Sequence, residues 1–320
     1  MTLIKKQRGV ALLMVLMVIT TLSALLYPLW QAQRMAIVRA QASQAQLQAW
    51  AVLISTQDWV KSALKFDAQQ SRIDSSQELW AQPMPPVPFD GGTIGGWIED
   101  AQGRLNVNKL ANPDPVQREQ ALAQFNRLCQ TLKLECPFWS AVADWVDSDD
   151  IPSVNGAETA IYLSILPPRR AANQPIVTIE ELQAVQGVSL QTLKILMPYL
   201  IALPQDFPIN INTAKMPVIM ALAPWMSEEQ AKLIVASQQT QPFESLIQVS
   251  QLLRQHSVLD SEINLLVNER QLSVATQHFL LHARADYAGR RWQAGALIRR
   301  DGGRTQILSR WLEDIVDNNQ

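Results

Sequence analysis

The sequence predicts an α+β protein in which a long N-terminal helix leads into an antiparallel sheet that a large all-α insertion interrupts. Residues 10–33 contain no charged side chain, as expected for a membrane-spanning start. Alternating apolar and polar residues, which indicate strands, occur in residues 93–108 and return only in residues 272–312. Helical spacing and helix-capping residues occupy the chain between them. The sheet is therefore expected to be divided in sequence by a helical domain.

The composition describes an ordered chain with no global electrostatic target. The chain has 320 residues, of which 48% are hydrophobic, and typical domains hold about 100 to 200 residues, so two or three units are expected. The formal net charge is −2 and the pI is near 6.0. Such a balance provides no extended basic field for nucleic acid, which is not expected as a partner.

The first thirty residues predict one membrane-spanning helix with a cytoplasmic N-terminus. Lys5, Lys6 and Arg8 are basic, and no acidic residue precedes Val10. Residues 10–30 are long enough to cross a bilayer core, which needs about 20 helical residues. Basic flanks stay in the cytoplasm, so the body that follows residue 30 is expected to be translocated across the membrane. A secretory signal peptide and a plain anchor are the alternatives, although a signal core has only about 7 to 15 apolar residues.

Helical spacing continues beyond the membrane segment and predicts a single helix over residues 10–64. At 1.5 Å per residue this helix would be roughly 80 Å long, with its second half packed on a soluble head. Pro28 is a candidate kink site within it.

The rest of the chain divides into a head and an insertion. The head is predicted to comprise residues 65–108 and 271–320, and the insertion residues 109–270. A proline-rich linker at residues 82–90 precedes a predicted hairpin. The strands of this hairpin and the last three strands are assigned to residues 93–100, 104–108, 272–286, 291–300 and 305–312. Turns between them are predicted at Ala101-Gln102-Gly103, Ala288-Gly289 and Asp301-Gly302-Gly303.

An acidic segment within residues 143–162 is a candidate calcium site. Calcium binds six to eight oxygen ligands, and carboxylates from one loop can supply several of them. The candidate ligands are Asp147, Asp149, Asp150 and Glu158, with Asp144 as a weaker candidate. The loop is not an EF-hand, because Pro152 stands where the turn requires glycine. A solvated acidic turn that caps a helix explains the residues equally well.

The remaining reactive side chains form no catalytic pattern. Cys129 and Cys136 are either a short-range disulfide, if the body is exported, or two buried thiols. The three histidines match no zinc-enzyme motif and are expected to be packed or exposed. No nucleophile elbow, phosphate-binding loop or dinucleotide-binding glycine pattern is present, so no enzyme is expected.

Two segments, residues 178–203 and 208–253, resemble helix-hairpin-helix modules, which bind nucleic-acid phosphates through glycine-rich hairpins. The first hairpin keeps one glycine, Gly187, and the second contains Pro224 and Trp225 where a phosphate would have to approach closely. Basic residues are sparse there, so the modules are interpreted as packing scaffolds.

The N-terminal stretch QRGVALL resembles the leader of type IV pilins and type II secretion pseudopilins. The resemblance implies a prepilin leader of residues 1–9, cleavage by prepilin peptidase between Gly9 and Val10, and N-methylation of Val10. Pilins usually carry glutamate at the fifth mature position, where this chain has Met14. Its absence is typical of the K class of minor pseudopilins, and implies a place at the fibre tip.

The layout of the whole chain also resembles this K class, a pilin-like fold with an insertion of two SAM-like modules. The modules would cover residues 109–205 and 206–270. The acidic segment resembles the K-class run from its Asp-Trp start to its Gly-Ala-Glu end, which favours calcium as a structural cofactor.

The same resemblance implies the location, the partners and the role of the chain. The location would be the inner membrane, crossed once. The implied partners are the minor pseudopilins I and J, with the major pseudopilin and secreted proteins as further candidates. The tip complex would prime pseudopilus growth for export of folded proteins across the outer membrane. A minor pilin of a type IV pilus and a membrane-anchored DNA-binding protein are the alternative interpretations.

Overall fold

The computed structural model describes residues 8–268 and 271–314. Most of the predicted leader, residues 1–7, lies outside the described residues, as do residues 315–320 of the predicted last segment. The helices are α1 (Arg8–Gln70), α2 (Pro115–Thr131), α3 (Trp139–Val146), α4 (Thr159–Leu163), α5 (Leu190–Leu196), α6 (Met216–Leu222), α7 (Glu228–Thr240), α8 (Leu246–Gln255) and α9 (Asp260–Asn268). The strands are β1 (Met84–Phe89), β2 (Gly92–Asp100), β3 (Leu105–Asn106), β4 (Leu200–Ile201), β5 (Ile209–Asn210), β6 (Leu272–Ser273), β7 (His278–Tyr287), β8 (Arg290–Asp301) and β9 (Arg304–Asp314).

Helix α1 continues past its predicted end at Leu64 and stops at Gln70. No helix-breaking residue follows Leu64 until Ser71, whose hydroxyl accepts the N–H of Ile73 at 3.2 Å. A side chain that bonds nearby backbone in this way offers the chain an alternative to the helix, so the helix ends here.

The two halves of α1 have different surroundings. Within the described residues, α1 is the one helix long and apolar enough to cross a membrane. No side chain of residues 10–48 is buried. Beyond them, Ala49, Leu53, Val60 and Leu64 form a buried stripe at helical spacing that packs on the sheet. The second half of α1 thus belongs to the core of the head.

The head contains a five-stranded antiparallel sheet with the strand order β1-β2-β7-β8-β9. Helix α1 covers one face of β7, β8 and β9. On the opposite face, Leu280 and Leu297 pack against Ile201 and Leu203 of the insertion. The sheet is therefore held between α1 and part of the insertion.

The last two predicted strands form as β8 and β9, but the predicted strand 272–286 is divided: residues 278–286 belong to β7, whereas residues 272–273 form β6 and pair with β5. The turns at Ala288-Gly289 and Gly302-Gly303 are confirmed, since all four residues have positive φ angles of 52° to 82°. Two-residue hairpin loops favour such angles because they match the twist of the flanking strands.

The predicted linker and the predicted first hairpin are wrong. The proline-rich residues 84–89 form the edge strand β1, which pairs with β2. Proline is tolerated at a sheet edge because no neighbouring strand requires its missing N–H. Strand β3 does not pair with β2 but lies parallel to β4, because Asp100 starts a 3-10 turn by accepting the Gln102 N–H at 2.7 Å.

The insertion is not helical throughout, and its core extends beyond the predicted bounds. It contains two short parallel strand pairs, β3 with β4 and β5 with β6. One buried cluster includes side chains from both predicted modules, together with Leu105, Val107 and Leu272. The sequence predicts these three residues in the head, but their side chains lie in the insertion core because the parallel strand pairs hold the connecting segments against it.

Candidate metal centre

Three predicted calcium ligands meet in the loop between α3 and α4. One carboxylate oxygen from each of Asp147, Asp149 and Glu158 lies within 4.8 Å of the others. Asp147 directly follows α3 and Glu158 directly precedes α4, so the two helices fix both ends of the loop. The arrangement supplies hard anionic oxygens from a single short segment, as calcium prefers.

Asp144 stabilises the loop through hydrogen bonds with its backbone. Its side chain is fully buried, and its two oxygens accept the N–H of Ser153 at 3.2 and 3.1 Å. Gly156 lies so close that a Cβ there would be 1.9 Å from Oδ2 of Asp144. A side chain at position 156 would collide with the Asp144 carboxylate, so this position requires glycine.

Three carboxylate oxygens of the loop lack the hydrogen-bond donors that buried anions require. Oδ1 of Asp147 and both oxygens of Glu158 are buried without a donor. Glu158 is only 3% exposed, so water does not replace the missing donors freely. Burying unpaired charge in this way costs several kcal/mol, roughly, which a bound cation would offset.

Burial and repulsion raise the pKa of two of these groups. Burial, followed by the charges of Asp149 and Asp144, raises the pKa of Asp147 to about 6. Burial, followed by repulsion from the surrounding carboxylates, raises the pKa of Glu158 to about 7. A divalent cation would counteract both causes, because it supplies positive charge and binds the donor-free oxygens.

Asp150, Arg118 and Asn173 lie around the three grouped carboxylates. Asp150 is exposed and lies outside the group within 4.8 Å, but its charge contributes to the raised pKa of Glu158. Arg118 of α2 places Nη1 4.0 Å from Oδ2 of Asp147. Asn173 donates Nδ2 to the Asp149 carbonyl at 2.7 Å, and its Oδ1 is buried without a donor. No local pattern in the sequence marks Arg118 or Asn173, because both lie outside the acidic segment.

A second acidic group is paired with an arginine. Asp67, Asp74 and Glu78 also bring carboxylate oxygens together. Arg300 of β8 lies among them, with Nη1 2.8 Å from Asp67 and Nη2 2.5 and 2.7 Å from the two oxygens of Asp74. Glu78 accepts the Ser75 N–H at 2.8 Å. This group is an ion-pair network that joins α1 to the sheet.

Two of the histidines lie on β7 in separate aromatic contacts. His278 is fully buried beside Phe207, with ring centroids 4.2 Å apart, and burial, followed by the charge of Arg299, lowers its pKa to about 4. His282 stacks on Trp97 with centroids 4.8 Å apart. Both are packed side chains, as expected.

Cys129 and Cys136 form a disulfide that connects the end of α2 to the start of α3. Trp139, the first residue of α3, donates its ring N–H to Cys129 Sγ at 3.3 Å. The cross-link therefore stabilises the helix whose far end carries Asp144 and precedes Asp147.

Removing this disulfide is expected to lower the free energy of unfolding by about 2 to 3 kcal/mol, because a short closed loop restricts the unfolded chain. Urea unfolding of the full chain in detergent, with and without dithiothreitol, measures the change. The Cys129→Ser/Cys136→Ser variant should unfold at the lower urea concentration in both conditions. Equal midpoints for variant and oxidised protein would contradict the expectation.

The comparisons with known proteins agree on one family. Residues 103–205 and 209–267 match two family models that are both described as type II secretion system protein K. The type II secretion system protein K of Pseudomonas aeruginosa is 32% identical over 85% of this chain and 84% of its own length. The protein of the same name from Pectobacterium carotovorum subsp. carotovorum is 29% identical over 95% of this chain and 96% of its own length.

The fold has a solved counterpart. A chain in the crystal structure of the GspK-GspI-GspJ complex from the type 2 secretion system of enterotoxigenic Escherichia coli superposes with a TM-score of 0.72. The match covers 87% of this chain and 100% of that chain, at 24% identity. A long N-terminal helix with an exposed apolar first half and a second half packed on an antiparallel sheet, together with a helical insertion, is a pilin-like architecture.

Together with the family matches, this shows that the chain belongs to the type II secretion system protein K family, whose role is that of a minor pseudopilin. The apolar start of α1 and the family fit a single-pass protein of the inner membrane.

Proposed function

We propose that this chain caps the tip of a pseudopilus and primes its growth for the export of folded proteins across the outer membrane. The supporting observation is the exposed first half of α1, in which Met14 stands where pilins usually carry glutamate. A glutamate in lipid needs a cationic partner, such as the free N-terminus of another subunit. A chain without this glutamate has no carboxylate to pair with the N-terminus of a subunit ahead of it. Such a chain therefore fits the first position in the fibre.

We infer that the counterparts of proteins I and J are the partners of this chain, since the related crystal structure contains GspI and GspJ with GspK. The major pseudopilin and secreted proteins are further candidates. Co-purification from membranes of the native host tests this proposal. Recovery of the I and J proteins is expected, whereas recovery of type IV pilus proteins or DNA would contradict it.

The proposal includes processing of a prepilin leader, residues 1–9, with residues 10–30 in the inner membrane and the body in the periplasm. Cells with active prepilin peptidase are expected to contain a chain that begins at Val10 and carries one added methyl group. Intact-mass measurement of the membrane-extracted protein tests both changes, and cells without the peptidase are the control. A mature chain that still contains residues 1–9 in the presence of the peptidase would contradict the proposal.

We also propose that the acidic loop binds a structural calcium ion through Asp147, Asp149, Asp150 and Glu158. Support comes from the buried, donor-free oxygens of Asp147 and Glu158, which carry the chemistry of a hard-cation site. Asp144 remains the weaker ligand candidate, because Ser153 already occupies its two oxygens as a donor.

The insertion is proposed to contain two SAM-like modules that serve as packing scaffolds and do not bind nucleic acid. Trp225, in the hairpin of the second module, packs against the insertion core, which is the role of a structural side chain. The protein is proposed to work by assembly and not by catalysis.

A further inference from the structure

The α2–α3 pair is connected at both of its ends. The disulfide joins the C-terminal end of α2 to the start of α3, and Trp139 contacts Cys129 at the same end. At the opposite end, Arg118 from the beginning of α2 faces Asp147, which follows the last residue of α3. The second connection is electrostatic and lies beside the candidate metal centre.

Arg118 occupies a position that its own helix does not favour. It lies near the N-terminus of α2, where the helix dipole is positive and a cationic side chain is destabilised. Its side chain is partly exposed, and its Nη1 lies 4.0 Å from Oδ2 of Asp147. The other oxygen, Oδ1, remains buried and without a donor. Arg118 thus compensates part of the loop's charge and leaves the donor-free oxygens available to an ion.

We propose that Arg118 is the internal counter-cation of the calcium-free loop and that it lowers the calcium affinity of the centre. This inference rests on the proposed metal centre. Arg118 attracts Asp147 when no ion is bound, which stabilises the calcium-free form. When the ion binds, Arg118 lies near a second positive charge and is repelled by it. Both effects act against calcium binding.

The direction of this effect distinguishes a counter-cation from a supporting residue. A residue that only holds the loop in shape would weaken calcium binding when it is removed. Removal of Arg118 should instead tighten binding, because the calcium-free form loses its compensation and the bound form loses a repulsion. At partly exposed positions such a charge changes an affinity by about 10-fold.

Isothermal titration calorimetry with calcium chloride, on the full chain in detergent after removal of calcium with a chelator, tests the proposal. The Arg118→Gln variant is expected to bind calcium about 10-fold more tightly than the unsubstituted protein. It should also melt at a lower temperature in the absence of calcium. Arg254→Gln is the matched control, because Arg254 forms an exposed ion pair with Asp260 on α8 and α9, outside the acidic loop.

The outcomes separate this inference from the proposed metal centre. Unchanged or weaker binding by Arg118→Gln, while the unsubstituted protein binds calcium, overturns the role of Arg118 and leaves the centre in place. Equal tightening by Arg254→Gln also overturns it, since a general loss of positive charge would then be the cause. Absence of calcium binding by every form overturns both proposals.

Discussion

Replacement of Arg300 by methionine is expected to lower the free energy of unfolding by about 3 to 5 kcal/mol, because it leaves a buried carboxylate without its partner. Asp74 is 1% exposed and receives both of its arginine contacts from Nη2 of Arg300. Burial already raises the pKa of Asp74 to about 6 even with Arg300 present. The variant also loses the bonds from Nη1 to Asp67 and to the Leu64 carbonyl.

Denaturant unfolding of the full chain in detergent measures this change. Arg299→Met is the matched control, since Arg299 pairs with the exposed Asp301, and such pairs contribute about 0 to 1 kcal/mol. Combining Arg300→Met with Asp74→Asn should restore part of the loss, because the buried charge is then removed with its partner. If Arg300→Met and Arg299→Met unfold alike, the network does not stabilise the head as described.

Replacement of Glu158 by glutamine is expected to have opposite effects with and without calcium. Calcium at 100 times its Kd should stabilise the unsubstituted protein by about 2.7 kcal/mol. The variant should lose this gain, because a neutral amide replaces a charged ligand. Without calcium at pH 8 the variant should melt at a higher temperature than the unsubstituted protein, since it no longer buries an unpaired charge.

The pH dependence of the calcium-free protein tests the same group. The pKa of Glu158 is raised in the folded state, so the folded form binds the proton more tightly than the unfolded form does. This contribution to stability is fully present below the unfolded pKa and is lost as the pH rises through about 7. The melting temperature difference between Glu158→Gln and the unsubstituted protein should therefore shrink between pH 8 and pH 5. A constant difference would show that the charge of Glu158 is not its cause.

The parts of the fold that local patterns specify were predictable. The apolar run of α1 and the glycines of the last hairpins act within a few residues, so the sequence shows them directly. Strand β1 was missed because its prolines indicate a linker, and only its place at the sheet edge makes them acceptable. The pairing of β3 with β4 joins residues that are far apart in sequence, which no local pattern reports.

In the candidate site, too, local sequence predicts some features, whereas others depend on contacts between distant segments. Its carboxylates lie in one loop, so their spacing in the sequence alone predicts a cation site. The positions of Arg118 and Asn173 depend on how α2 and residues 164–178 pack around that loop. The buried state of Glu158 also depends on this packing, and its unpaired oxygens are the strongest support for the ion.

The uncovered middle of α1 separates the head from the proposed membrane segment. Residues 31–48 follow that segment and precede Ala49, the first buried side chain, and as a helix they span about 27 Å. With the proposed segment in the membrane, this stalk would hold the folded body clear of the lipid headgroups and leave lateral room for the heads of adjacent subunits. Substitutions confined to the stalk, other than at Gln48, which accepts the Tyr287 hydroxyl, should leave the melting temperature of the body unchanged even where they abolish polymerisation.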